Sequence, residues 1–438
     1  MPRQQSIDSA TQLQPRGIGH GALFANGVAA LFYFTLPLFN DVHWHGLENY
    51  HASPSTLITI NHKRDLDILL IAPTLHLKKT IFREPLRMYF VARDDLFEPG
   101  FLTAHFPFSF PLGRLLHRVN LAPVMHAFSG YPISSVIHKR LGPLVKEVMQ
   151  SEGDIRLGDT VKPDFVRKIA EQFGKEDTAV DRLTLSGFLG YEFRTLHEEF
   201  TDTGILKEGL ARKVRRQSIL DVEDQLRFFA GVLKQGGICL LSPEGRLSPD
   251  GHFWPVRSGL YRLLSLAGLD VTILPVNTTY DFMTRKRMRA HVAAGPEIKA
   301  SGKFGKVELE QRVQRAIISL GRVTIGQIGS EYLLWRKEAG KGLICEDEFA
   351  EALSARALVL KNAGLNLDEQ LTEERAFLRR LRDFLDYCVG KKILVGTSPR
   401  DYLINRDCTF TAFIGESYHN PVVYSHNELK SLLEHGGT

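Results

Sequence analysis

The residues with the clearest chemical potential are Asn61-His62-Lys63-Arg64-Asp65-Leu66-Asp67, which follow the apolar run TLITI at 56–60. An imidazole titrates near neutrality, and a nearby carboxylate fixes its tautomer and raises its basicity, so this group can take a proton from a hydroxyl. Five residues of helix turn through about 500°, so His62 and Asp67 do not share a face of one continuous helix. They meet if His62 stays in a loop and Asp67 lies in the first helical turn; Asp65 is the rival partner. The same residues also fit a helix N-terminus decorated with ordinary charges. No second histidine stands at ligand spacing for a metal site built from His62 and the two aspartates. His43 and His45 flank Trp44 on a strand and are expected to be exposed strand residues.

A second group, Leu241-Ser242-Pro243-Glu244-Gly245-Arg246-Leu247-Ser248, also ends an apolar strand pattern. Glu244, Gly245 and Arg246 fit a loop that sets a guanidinium and backbone N–H groups around an anion, or a simple turn with a surface arginine. The chain lacks G-x-G-x-x-G after a strand, G-x-x-x-x-G-K-[ST], G-x-S-x-G and H-E-x-x-H. Dinucleotide, P-loop, serine-hydrolase and zincin chemistries therefore lose their usual support.

The elements that must position these groups read as an α/β pattern. Strands are expected at 42–50, 56–60, 88–92, 238–242 and 271–276, with a hairpin-like return at 290–294. Helices are expected at 67–77, 132–150, 222–235 and 258–268, the third with Asp221 as N-cap and Gly236-Gly237 at its end. Residues 97–132 are dense in Phe, Pro and Gly with weak periodicity. The reading is an α/β domain at 42–320, with an insertion at about 151–220. A mostly helical domain follows at 321–438, ending in a short β segment near Val422–Ser425. Residues 1–41 are expected to form an apolar N-terminal helix.

From Gly17 to Asn40 there is no Asp, Glu, Lys or Arg. Arg3 and Arg16 are too sparse for a signal peptide, and no small-x-small cleavage site follows. Three placements fit the segment: a buried core helix, an interfacial helix seated on a bilayer, or a span, for which it is borderline with Asn26, Gly27 and Pro37 inside.

With 438 residues, 43% hydrophobic and 24% charged, the chain is an ordinary globular protein with room for a large core. Its four cysteines form no C-x-x-C pair, which argues against structural zinc and dithiol redox chemistry and for a reducing, cytosolic setting. A net charge of +5 is mild for a nucleic-acid binder, and the basic runs LARKVRR and TRKRMR carry no interleaved aromatics. Nucleic acid is not an expected partner. Arg212, Lys213, Arg215 and Arg216, with Arg285, Lys286, Arg287 and Arg289, are either solvated faces or attraction for anionic lipid. Docking of an acidic carrier protein is a third option.

Four stretches in order resemble the glycerol-3-phosphate and lysophosphatidate acyltransferase superfamily. His62 and Asp67 meet its His-x4-Asp block. Gly113 to Arg118 loosely meet its Gly/Phe-rich block, which ends in a basic residue. Glu244, Gly245 and Arg246 look like its Glu-Gly-Arg block, and Leu274-Pro275-Val276 like its apolar-Pro-apolar strand. Gly295-Pro296-Glu297-Ile298 is similar to its Gly-x-Pro-Ile strand end. The likeness covers roughly 42–298. In the tail, 323–364 and 423–429 look like the C-terminal region of the larger glycerol-3-phosphate acyltransferases, and Pro255–Gly259 like their Pro-Pro-Lys-Thr-Gly segment. Those enzymes usually carry a second arginine where this chain has Ser248, which weakens the case for glycerol 3-phosphate as acceptor.

The resemblance implies a mixed sheet flanked by helices and a place in glycerolipid and phospholipid biosynthesis. A fatty acyl group would move from acyl-CoA or acyl-carrier protein, as co-substrate, to a hydroxyl of glycerol 3-phosphate or a lysophospholipid. His62 and Asp67 are the implied catalytic pair; Arg246, Glu244, Gly245, Arg118 and Pro275 are the implied substrate-binding residues. No metal or redox cofactor is implied. The implied place is the cytoplasmic face of a membrane, peripheral or monotopic, on an anionic surface. The alternatives are a non-catalytic lipid-binding protein of the same fold, or an acyltransferase for a non-phosphorylated acceptor.

Overall fold

A computed structural model describes residues 20–435 except 65–66, 81–87, 94–96, 98–118, 128, 134–137, 198, 246, 249, 269, 301–304 and 406–419. The described chain divides into two compact units. One joins Gly17–Met88 to Val232–Thr438, and the other is Tyr89–Gly231.

The first unit is built on a mixed sheet. Its strands are β1 (Asn40–His45), β2 (Thr56–Ile60), β3 (Ile238–Leu241), β4 (Val271–Asp281), β5 (Met288–Ala294) and β6 (Ile298–Ala300). In space they run β1, β5, β4, β2, β3, with β6 beside the start of β4. β1 is parallel to β5, β4 to β2 and β2 to β3, while β5 and β6 lie antiparallel to β4. Every residue of β2, β3 and β4 is buried. A continuous apolar run is what a strand covered on both faces requires. Pro275 sits inside β4, where a missing N–H would normally break a ladder. Its position explains the tolerance: β6 pairs with β4 up to Ile273 and β5 takes over at Val276, so Pro275 falls in the gap.

Helix α1 (His20–Phe39) precedes β1, and helix α2 (Asp67–Thr80) follows β2. Leu36 of α1 packs on a small core of Leu70, Tyr280 and Ala290, and His76 of α2 hydrogen-bonds Asn26. No helix among the described residues is long and apolar enough to cross a membrane.

Beyond β6 the same unit is mostly helical, with helices at Lys306–Ile318, Ile325–Glu338, Glu346–Asn362, Glu374–Gly390 and α3 (Pro421–His435). Thr324 and Gln327 close a capping box at the second of these. Their shared core contains Ile328, Leu333, Phe349, Phe384, Leu429 and Leu432. A three-stranded antiparallel sheet, Leu343–Cys345, Asp401–Ile404 and Leu394–Ser398, lies among them.

The second unit contains the strand Gly130–Ile133, parallel to it the strand Met88–Arg93 from Tyr89 onward, and a helical core that includes Leu144, Val148, Leu157, Phe188, Phe193 and Val214.

Four local expectations fail. The strand expected at 42–50 ends at His45, and Leu47–Asn49 form a 3-10 turn. The helix expected over 132–150 spans Leu141–Glu152, and Pro132 lies in a strand. Asp221 is no N-cap: one helix runs from Glu208 to Lys234, and Asp221 accepts a bond from Gln217 one turn back. No proline interrupts 208–234, so good helix formers carry the helix through. Val422–Ser425 is helical, because Val422, Ser425, Leu429 and Leu432 are buried at helical spacing. A β-branched pair misled the local reading.

Candidate active site

Because β2 and β3 are parallel neighbours in register from Thr56↔Ile238 to Thr59↔Leu241, the loops after them leave the same edge of the sheet. That edge, beyond the carboxyl ends of parallel strands, is where open α/β sheets carry their crevices. Asn61 ends β2 by continuing its ladder with a side chain: its amide donates to the Thr278 carbonyl at 2.9 Å and accepts from the Thr278 N–H at 2.7 Å. The chain is thereby freed at His62.

Asp67 opens α2 and is fully buried. Its Oδ2 accepts the backbone N–H groups of Lys63 (2.7 Å) and Arg64 (2.9 Å) and lies 3.2 Å from His62 Nδ1. Its Oδ1 accepts the hydroxyl of Tyr280, from the far end of β4. The loop-plus-first-turn arrangement is the one the spacing allows. The contact assigns the proton to Nδ1 in the neutral ring, leaving the Nε2 lone pair. Among the described residues Nε2 makes no hydrogen bond, and the side chain is 16% exposed. Asp65, the rival partner, lies outside the described residues.

The turn after β3 clasps this loop through the backbone of His62. The His62 N–H donates to Glu244 Oε1 at 3.2 Å, and its carbonyl accepts the Ser248 N–H at 2.9 Å. Glu244 Oε2 accepts the Trp254 N–H at 3.0 Å, so this buried carboxylate ties three segments together. Burial pushes its carboxyl above the usual range, opposed by the Lys63 ammonium. Gly245 has φ of +67°, and a Cβ there would come within 3.0 Å of Arg257 Cδ. Arg257 is exposed along that turn. Ser248 is buried, its hydroxyl donating to the His252 carbonyl.

The structure thus brings together His62, Asp67, Glu244 and Gly245. Pro275 stays apart, buried in β4 opposite Thr59. Arg246 and Arg118, with Gly113, lie outside the described residues. Tyr280 was not singled out from sequence, and Asn61, Lys63 and Arg257 stood there only as members of their motifs, with no role assigned. Tyr280 belongs to a strand that runs to Asp281 rather than 276, and the polar stretch NTTYD hid that extension.

A second histidine–aspartate pair lies in the same unit. His291 of β5 sets Nε2 3.1 Å from Asp368 Oδ2 and Nδ1 3.2 Å from His45 Nε2. His43 and His45 are therefore half-buried against the His291 ring rather than exposed. Arg289 is buried as well, its Nε 3.3 Å from Asp368, so it does not belong to a solvated basic face. Lys213 and Arg215 are paired with Glu152 and Asp202. No group of three or more His, Cys, Asp and Glu among the described residues is placed to hold a metal ion.

No family model matches the chain, and no curated protein matches it. Among solved structures it is similar to the crystal structure of the 1-acyl-sn-glycerophosphate (LPA) acyltransferase PlsC from Thermotoga maritima, with a TM-score of 0.35 and 13% identity. The match covers 72% of this chain and 85% of that one. A likeness of that size does not define a function.

Proposed function

We propose that the protein is an O-acyltransferase that moves a fatty acyl group from a thioester to a hydroxyl of glycerol 3-phosphate or a lysophospholipid. The observation that carries this reading is the His62–Asp67 pair, with Nε2 unbonded among the described residues and the Glu244–Ser248 turn bonded to the His62 backbone. His62 Nε2 takes the acceptor's hydroxyl proton as its oxygen attacks the thioester carbonyl. Asp67 holds the ring and stabilises the imidazolium. When the carbon–sulfur bond breaks, the leaving thiolate takes that proton back, so no group on the enzyme need be acylated. Holding both substrates together supplies much of the rate. The donor is acyl-CoA or acyl-carrier protein, and no metal or redox step enters.

Arg246, next to Gly245 in sequence, and Arg257, beside the turn, are assigned to the acceptor's phosphate, with Arg118 as a further contact. Ser248, buried in its loop, offers no cation. The exposed face of α1, with Phe34 at 70% and Phe39 at 72% exposure, is assigned to a lipid surface. Arg287 donates to the Pro37 carbonyl at 3.0 Å beside this face, and Arg285 and Lys286 are exposed next to it, matching anionic lipid. The placement is peripheral or monotopic, on the cytoplasmic side.

The test is an acyl-transfer assay with purified protein, one labelled acyl-CoA and a panel of phosphorylated and neutral acceptors. Arg246→Ala should raise the KM of a phosphorylated acceptor by a factor on the order of 10–100, from loss of a charge-assisted contact, and leave the donor's KM unchanged. Equal damage with a neutral alcohol removes phosphate binding as its role. Lipid binding without turnover on any acceptor sinks the enzyme reading.

A further inference from the structure

Between His62 and Arg64 the chain places a lysine with no exposed surface. Burying an ammonium costs several kcal/mol unless it is paired and hydrogen-bonded, and an apolar side chain of similar volume avoids that cost. Lys63 is paired. Its Nζ donates to the Gly251 carbonyl at 2.9 Å, lies 3.7 Å from Glu428 Oε1 and stands 4.0 Å from the centre of the Phe253 ring. The Tyr424 ring is 5.8 Å away. Burial pushes the Glu428 carboxyl above its usual range, and the Lys63 ammonium is the chief opposing influence.

Glu428 and Tyr424 belong to α3, far along the chain, and the rest of that helix face is keyed to the same loop. Asn427 donates to the Asp250 carbonyl at 2.9 Å, and the Phe253 N–H donates to the Ser431 hydroxyl at 3.3 Å. Residues 424, 427, 428 and 431 share one face by helical spacing. Gly251 has φ of +87°, and a Cβ there would meet the Tyr424 carbonyl at 2.1 Å, so α3 approaches as closely as a bare backbone permits. Gln327 holds the other Glu428 oxygen at 3.0 Å. The Lys63 side chain thus anchors one residue to α3, and that residue's own N–H is a ligand of Asp67 Oδ2.

We propose that Lys63, anchored by Glu428 of α3, is a positioning residue for the His62–Asp67 base, and that α3 is therefore part of the active-site architecture. This rests on the acyltransferase reading. The anchor fixes the backbone from which His62 projects and from which Asp67 takes two of its hydrogen bonds. A displacement of the base by about 1 Å is enough to cost about 10²-fold in rate.

The test uses the full chain with Lys63→Met, Glu428→Gln, the double variant and Glu428→Asp. Kinetics, thermal unfolding and the imidazole N–H proton resonance of His62, assigned by its loss in His62→Ala, are measured for each. Lys63→Met should fold, lower kcat by about 10²-fold and leave the donor's KM within about 2-fold. Glu428→Gln should lose less, Glu428→Asp should recover part of that loss, and the double variant should be no worse than Lys63→Met alone. The His62 resonance should move in Lys63→Met. A folded Lys63→Met protein with unchanged kcat and an unmoved resonance overturns the proposal, as do strictly additive losses. If the unaltered protein transfers no acyl group, the acyltransferase reading fails by itself, and the resonance still decides whether Lys63 sets the His62 geometry.

Discussion

His62–Asp67 and His291–Asp368 present nearly the same contact, 3.2 Å and 3.1 Å between ring nitrogen and carboxylate oxygen, in one compact unit. The surroundings of the two rings differ. His62 stands on a loop after a strand, 16% exposed, and its second nitrogen makes no hydrogen bond among the described residues. His291 lies within β5 at 1% exposure, its second nitrogen spent on His45 and its carboxylate shared with Arg289. An imidazole with both nitrogens engaged inside a sheet is a structural connector. A base needs the same carboxylate and an open lone pair at the end of a strand.

The sharpest way to break the comparison is to delete each ring. His62→Ala should lower turnover by a factor on the order of 10²–10⁴ while the melting temperature changes little, and Asp67→Asn should do nearly as much. Asp65→Asn should do much less; if it proved the more damaging, the pairing with Asp67 would be wrong. His291→Ala should do the reverse, removing the buried imidazole that Asp368 and His45 share, at a cost of about 1–3 kcal/mol in unfolding free energy with kcat retained in the folded fraction. Acyl-transfer kinetics beside denaturant unfolding read both columns.

A smaller effect comes from pH. Burial first, then the nearby charges of Arg322 and His291, push His45 down to about 4. Its folded-state pKa lies below the ordinary 6.5, so between pH 6.5 and 4 the unfolded chain binds the proton and the folded chain does not. The neutral ring's contribution is present above pH 6.5 and is lost as the pH falls toward 4. Unfolding free energy measured across that window should drop with falling pH, and His45→Gln should flatten the slope. An unchanged slope would mean that His45 takes no part in acid sensitivity.

The smallest expected effect separates the two pairs by surface. Replacing Phe34 and Phe39 with Asp should weaken binding to anionic vesicles by about 10-fold each, and added salt should weaken it further. Turnover on a bilayer-embedded acceptor should fall in step, while the melting temperature and the pH window of His45 stay put. If vesicles are ignored at low salt by the unaltered protein, the site works from solution.

From the sequence alone, the strand–loop–helix order around His62, the two motif loops and the helical spacing of residues beyond 320 were all readable, because each depends on local periodicity and a short stretch of chain. Helical rotation over five residues excluded a shared helical face for His62 and Asp67, so their contact required His62 to stay in a loop. The structure alone decided which carboxylates stand together. Tyr280 reaches Asp67 because β4 runs parallel to β2, in register Thr56↔Thr272 to Ile60↔Val276, and continues to Asp281. Glu244 reaches His62 because β2 and β3 end side by side. Lys63 reads in sequence as a surface charge in a run of charges, and His45 as an exposed strand residue. Both are enclosed by segments more than 180 residues away along the chain. Burial and charge pairing are properties of what folds over a residue, and no local pattern contains that partner.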